Sequence, residues 1–430
     1  MTEPAIAVAH AHGGVAAMAV AIAGAGRYNR RSMSVETDAP PAHTATSSAA
    51  MPWLLLAAAC LGSFAASASG TTRAPFLLDM ARDLSVNLVL VANLVSMTAT
   101  AWGVMSLVAG MASDRWGRRP FLIGGPIGLA LCMAGVVQAA DFTGVAIWAT
   151  LGGACCGIFT GVIFAEVAAR VAASHRGRAL SWVMSGQSLT LVVGVPLAAW
   201  AGASIGWRGW HVVLAGVGAA AAFGLWAATV PNPAKHPPRR ATHDGPRGRL
   251  SLPVMMLLVI SVTERVCYGL VVVYFATFLL EEYKVGLEAV ALPLALVAVG
   301  NIVGTAIGGQ LADRVRNRLG LFGACMAATA VAGLALFAWR PDIVVSVVLG
   351  FAYVFINALG RPSLMAALAM VPEDVRGTVM GLNGTSASVG WVAAAALGGW
   401  MIATWGFVGF GPLSAALALL GAAMAFTWRQ

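Results

Sequence analysis

Glu264 and Arg265 stand side by side near the middle of an apolar run that extends from Leu252 to Leu280. Ionisable side chains in such surroundings are expensive and usually functional. A carboxyl group at that depth can take up and release a proton near neutral pH. Glu264 is therefore the expected proton-coupling residue; the alternative is a carboxylate paired permanently with an arginine for structure. Neighbours on a helix point about 100° apart, so Arg265 need not be its partner. Two more arginines sit in apolar surroundings, Arg73 beside Pro75 and Arg361 before Pro362. A guanidinium is planar, always charged and suited to gripping a carboxylate. Arg73, Arg265 and Arg361 facing one cavity would select an anionic ligand, with Tyr268 and Asn301 as further binding candidates. Tyr274, Asn383 and Trp391 could also line such a cavity, although aromatic residues more often mark a membrane interface.

A second set of charges is repeated along the chain. Gly110-Met111-Ala112-Ser113-Asp114-Arg115-Trp116-Gly117-Arg118-Arg119-Pro120 lies between two apolar runs, and Gly309-Gln310-Leu311-Ala312-Asp313-Arg314 lies between two others. Gly110 has no side chain and lets its helix approach a neighbour closely. Asp114, one turn on, can meet a helix N-terminus or Arg115 and Arg118. Such a cluster between two halves can hold one conformation and break in another. The expected gating set is Gly110, Asp114, Arg115, Gly117, Arg118, Arg119, Gly309, Asp313 and Arg314, with Arg176 and Arg376 as partners. The plainer alternative is a solvated loop that only orients the chain. Glu166 and Arg170, four apart, suit a one-turn ion pair or snorkelling to the interface.

Long apolar elements must carry these residues. The 430 residues are 59% hydrophobic and 10% charged, where a soluble domain is about 25% charged. Runs of the ~20 residues that cross a bilayer predict helices at 52–75, 86–110, 120–140, 145–169, 180–203, 210–230, 252–280, 287–311, 319–338, 343–371, 377–402 and 407–428. That is an all-α membrane protein with twelve transmembrane helices. The net charge of +9 does not point to nucleic acid, because it is distributed by loop. Arg115, Arg118, Arg119, Arg178, Arg239, Arg240 and Arg314 to Arg318 fall in alternate loops, and the opposite loops hold Arg82, Arg208, Lys284 and Arg340. By the positive-inside rule the motif loops and both termini are cytoplasmic.

The six cysteines lie inside predicted helices and read as small packing residues. No Cys/His cluster has metal-ligand spacing, and no cofactor is expected. The seven histidines fall in tails, loops or helix ends, which leaves no nucleophile–base pair for an enzyme. Gly153, Gly157 and Gly161, like Gly304 and Gly308, recur every fourth residue and read as helix-packing faces.

Residues 1–50 are low in complexity and are expected to be a disordered tail. Arg27, Arg30 and Arg31 follow its apolar run, the wrong order for a secretory signal. Residues 231–251 form a proline-rich basic linker between 51–230 and 252–430. Pro52 and Pro253, Asp114 and Asp313, and Arg176-Gly177 and Arg376-Gly377 recur at offsets of 199 to 201. These landmarks indicate an internal duplication and two pseudo-symmetric six-helix bundles.

The duplication, the basic central linker and the Gly110–Arg119 motif together resemble the major facilitator superfamily over residues 52–430. That family's signature runs Gly-x-Leu-x-Asp-Arg-x-Gly-Arg-Arg/Lys; Gly110, Asp114, Arg115, Gly117, Arg118 and Arg119 match it, and Ala112 stands where it has Leu. Asp79-Met80-Ala81-Arg82-Asp83-Leu84 looks like the drug:proton antiporter branch. Gly194-Val195-Pro196 with Gly206-Trp207-Arg208 is similar to arabinose-efflux-type permeases. The antiporter motif of the fifth helix is echoed at Gly186, Gly194 and Pro196, while Leu151-Gly152-Gly153-Ala154 stand where that branch commonly has an Arg before a Gly. The resemblance implies a secondary active transporter in a bacterial inner membrane, binding substrate near the midplane between its first, fourth, seventh and tenth helices. The expected activity is proton-coupled export of a small amphipathic or anionic molecule by alternating access. The alternative is an importer or facilitator of an anionic metabolite, using Arg73 and Arg361, with Glu264 structural. The expected partners are that substrate, the proton and the lipid bilayer; a monomer suffices because two halves complete a pathway.

Overall fold

The computed structural model describes residues 51–171, 175–229, 252–370 and 373–427. The tail expected at 1–50 and the linker expected at 231–251 lie outside the described residues, as do the side chains of Asp114, Arg176 and Arg376. Among the described residues all regular structure is helical. Helix α1 spans Trp53–Thr71, α2 Leu77–Asp83, α3 Leu88–Trp116, α4 Arg119–Gln138, α5 Phe142–Arg170, α6 Arg176–Leu189 and α7 Val195–Ala228. The second half contains α8 Leu252–Tyr283, α9 Ala291–Arg314, α10 Arg318–Ala338, α11 Ile343–Ala369, α12 Glu373–Trp405 and α13 Phe410–Thr427.

Several helices begin where the chain offers a capping oxygen. Asn87, Asp141, Asn317 and Asp342 each accept a hydrogen bond from the backbone N–H three residues on, at 2.7 to 2.8 Å. That bond satisfies a donor which the first helical turn leaves free. Two of the ends that differ from expectation carry the repeated motif. The helices predicted at 86–110 and 287–311 continue to Trp116 and Arg314. Gly110 and Asp114 therefore lie on α3, and Gly309, Asp313 and Arg314 lie on α9. The motif is half helix and half turn, and the turn is made by Gly117 at φ 81°, a backbone that favours glycine.

Among the described residues ten stretches are long and apolar enough to cross a membrane, against the twelve expected. Two of the ten, Gly177–Ala228 and Leu382–Thr427, have 52 and 46 residues and each contains two of the predicted helices. A straight helix of 52 residues would be about 78 Å long, more than twice the ~30 Å hydrocarbon core. Each is interrupted by a glycine at positive φ, Gly206 at 69° and Gly406 at 63°. The backbone thus turns without leaving a long non-helical loop between the two pieces.

The neighbours of each helix repeat between the halves. In the first half α3 packs on α5, α4 on α5 and α7, and α1 on α5, α6 and α7. In the second half α9 packs on α11, α10 on α11 and α13, and α8 on α11, α12 and α13. Glycine faces allow the closest of these approaches. A Cβ on Gly153, Gly157 or Gly161 would run into the backbone of Thr98, Trp102 or Ser106 on α3; on Gly304 or Gly308 it would meet Phe355 or Leu359 on α11. Replacing Gly157 by Val should lower the thermal midpoint of the detergent-purified protein by the equivalent of about 1–3 kcal/mol. Gly124→Ala, where nothing lies within 4 Å, should leave the midpoint unchanged.

Candidate functional site

Four of the candidate polar residues on the second half converge around the middle of α8. Glu264 is 1% exposed. Arg361 of α11 donates from Nε to Glu264 Oε1 at 2.9 Å, and its Nη2 lies 2.9 Å from the same oxygen. The remaining nitrogen, Nη1, donates to Asn301 Oδ1 on α9 at 3.2 Å. The Arg361 guanidinium also sits 4.6 Å from the ring centre of Tyr268, within reach of a cation–π contact. Tyr268 meets Trp391 of α12 edge to face, with ring centroids 6.0 Å apart. Pro362, next to Arg361, lies inside α11 and has no N–H to give the preceding turn.

The adjacent arginine does reach the carboxylate. Arg265 Nε is 3.6 Å from Glu264 Oε2, too long for a hydrogen bond, and Oε2 has no hydrogen-bond partner. The cluster therefore contains one carboxylate, two guanidinium groups and an under-used carboxylate oxygen. Its formal charge is +1 by that count, one negative against two positive. Burial makes the pairing matter: a buried ion left without its partner is strongly destabilising.

Arg73 is not part of this cluster. It lies just after α1, is 2% exposed and donates to Thr98 Oγ1 at 3.2 Å. Two of the three arginines expected to share a cavity are thus together, and the third is in the other half. Tyr274 is buried with its hydroxyl on the carbonyl of Ala395, and Asn383 accepts from Ser261 at 2.9 Å. Neither contacts Arg361.

The motif residues are held locally. Arg118 Nη1 donates to the carbonyl of Ala165 at 3.1 Å and lies 3.5 Å from Glu166 Oε2. Glu166, 9% exposed, also takes Arg170 Nε at 2.5 Å, the one-turn pair suggested by their spacing. Arg119 bonds Thr229 Oγ1 at 3.4 Å. Arg115, Asp313 and Arg314 are exposed. Gly110 makes an ordinary approach to the carbonyl of Gly161, and Gly309 has nothing near it. Among the described residues, the side-chain bonds of Arg118 and Arg119 stay within the first half.

One histidine lies where none was expected. His211 is fully buried inside α7, with Nδ1 2.7 Å from the carbonyl of Trp207. The predicted helix began at 210, whereas the helical turn resumes directly after Gly206. The glycine that precedes Trp207 was the available signal.

The sequence pattern of the Major Facilitator Superfamily matches residues 59–369. The chain belongs to the major facilitator superfamily. It is 30% identical over 337 residues to a chloramphenicol efflux pump of Mycobacterium tuberculosis, covering 75% of this chain and 79% of that one. Among solved structures it resembles a bacterial homologue of the human lysosomal transporter Spinster in an inward-facing, unoccupied conformation, with a TM-score of 0.70 and 16% identity, covering 88% of this chain and 95% of the other. It also resembles a D-xylose–proton symporter, with a TM-score of 0.71 and 15% identity, covering 89% and 98%. These two likenesses are of fold. The chain is an integral membrane transporter and not an enzyme.

Removing Arg361 should expose how much of the second half rests on its pair. Arg361→Met is expected to cost roughly 3 kcal/mol, read as a lowered unfolding midpoint in detergent. Glu264→Met, which leaves Arg265 and Arg361 together with no counter-charge, should cost more than Arg361→Met, which leaves Glu264 its second arginine. Equal instability of the two single variants would show that lost packing, and not unneutralised charge, is responsible.

Proposed function

We propose that this protein exports a small amphipathic or anionic organic molecule in exchange for protons, by alternating access of two six-helix bundles. The bundles would be 51–230 and 252–430, with twelve crossings once the stretches broken at Gly206 and Gly406 are counted as two each. The repeated neighbour pattern of α1–α7 and α8–α13 supports that count. The basic motif ends would face the cytoplasm of a bacterium from its inner membrane, consistent with the positive-inside rule.

The observation that carries this reading is the Glu264–Arg361 pair beside Tyr268 and Trp391. Arg361 can serve either Glu264 or a substrate acceptor group, but the same donors cannot fully serve both. When a substrate takes Arg361, Glu264 loses its closest counter-charge and takes up a proton in its place. When Glu264 loses its proton it reclaims Arg361 and weakens the substrate's hold. Proton and substrate therefore compete through one guanidinium, which is the requirement for exchange. The aromatic pair gives an amphipathic substrate its apolar surface, Asn301 fixes the orientation of Arg361, and Arg265 adds the second positive charge. A relative that is a chloramphenicol efflux pump supports export of a drug-like molecule.

Gating would use the motif. Asp114, Arg115 and Gly117 to Arg119, with Gly309, Asp313 and Arg314, stand at the ends of α3 and α9, and Glu166 anchors Arg118. A second reading is favoured by the +1 charge of the cluster: a facilitator or importer of an anionic metabolite, with Glu264 only holding the arginines.

Proteoliposomes with an imposed pH gradient separate the two. Chloramphenicol, organic acids and sugars would be added in turn while internal pH is recorded, for wild type and Glu264→Gln. Export coupled to protons predicts substrate-triggered proton movement that Glu264→Gln abolishes while substrate still equilibrates. Equilibration of an anionic substrate with no proton movement in either protein would establish the facilitator instead.

A further inference from the structure

Arg73 is the largest of the fully buried side chains. Its Nη1 bonds the Thr98 hydroxyl, which itself donates to the carbonyl of Leu94. Its Nη2 has no partner. Among the described residues no carboxylate pairs with it. Asp79 lies 3.9 Å from Arg82, Asp83 serves Trp207 and Arg208, Asp141 caps α5, and Glu166 is between Arg118 and Arg170. A guanidinium does not escape burial by losing its proton, and an uncompensated buried charge costs several kcal/mol.

A second polar atom without a partner, an acceptor that leaves the binding of an anion to Arg73, lies close by. His211 carries its hydrogen on Nδ1, since that nitrogen faces a carbonyl, and its Nε2 has no partner. The residues just before these two are joined: Trp210 Nε1 donates to Thr72 Oγ1 at 2.8 Å. Ser69 and Cys156, 3.4 Å apart, add polar atoms from α1 and α5. Arg73, Thr98, Cys156 and His211 thus bring four parts of the first half to one buried polar centre with one positive charge and no negative one.

We propose that Arg73 binds a small monovalent anion inside the first half, separate from the Glu264 cluster. The free Nη2 donates to the anion, as charge-assisted bonds favour, and the anion neutralises the guanidinium. The open Nη2 is sealed from solvent. The ligand is therefore the size of a halide or a simple carboxylate, and it enters when the helices part. This assignment does not depend on the direction or substrate of transport.

The test measures thermal unfolding of the purified, detergent-solubilised full chain against chloride, bromide, formate and acetate, at ionic strength held constant with sulfate. Wild type should show a saturable rise in midpoint. Arg73→Gln should lose that response, and without a monovalent anion it should be no less stable than wild type, because it removes an unneutralised charge. A response to halides alone assigns an inorganic anion; one to carboxylates alone assigns an organic acid. Both outcomes support the site. If Arg73→Gln does not fold, Arg73→Lys replaces it, keeping the charge without the fork and binding about tenfold more weakly. An identical response in wild type and the Arg73 variant, or no saturable response in wild type, overturns the proposal.

Discussion

A carboxylate placed in an apolar interior needs a cation within reach, and Glu264 obtains two. That requirement constrains α8, α9, α11 and α12 together, because Arg361, Asn301 and Trp391 come from three helices other than the one carrying Glu264. Small residues make the arrangement possible. Gly300, Gly304 and Gly308 of α9 lie against Phe351, Phe355 and Leu359 of α11, which brings Asn301 to Arg361. Gly390 of α12 lies against the Arg265 side chain, which brings Trp391 to Tyr268. Bulk at these positions would separate the charges as well as the helices. Packing and electrostatics are one constraint here.

The two halves share their backbone plan and differ in their charges. α1 has the same neighbours in its half as α8 has in the other. Yet α8 carries a paired carboxylate at its middle, while the buried Arg73 of the first half lies just after α1 with only a hydroxyl for a partner. Helix neighbours and glycine faces recur between the halves because those decide whether the helices pack. Interior charges differ because they do not set that packing.

The ends of the helices show a similar division. Away from the motif, Arg208 is bound to Asp83 and Arg340 lies 2.6 Å from Glu282, so these basic residues are neutralised locally. At the motif end Glu166 takes two arginines while Arg115 and Arg314 remain exposed. The excess positive charge is therefore concentrated at one end of the helices, the distribution expected of a chain oriented by its loops.

The sequence alone determined the elements that depend on composition and local signals. Apolar length announced the spanning helices, and the repeated Gly-Asp-Arg motif announced the family. It also singled out Glu264, Arg265, Tyr268, Asn301 and Arg361, because a polar residue in an apolar run is conspicuous whatever surrounds it. Only the tertiary structure decided which of these meet. Arg361 and Glu264 are 97 residues apart, and no periodicity specifies a contact between helices that distant in the chain. Arg73 looked equivalent to Arg361 and proved to lie with Thr98 and His211 instead, because burial within one half, and not charge, sets its neighbours. His211 was invisible for the same reason: a glycine at positive φ restarted its helix three residues early, and only the folded chain shows which face that turn buries.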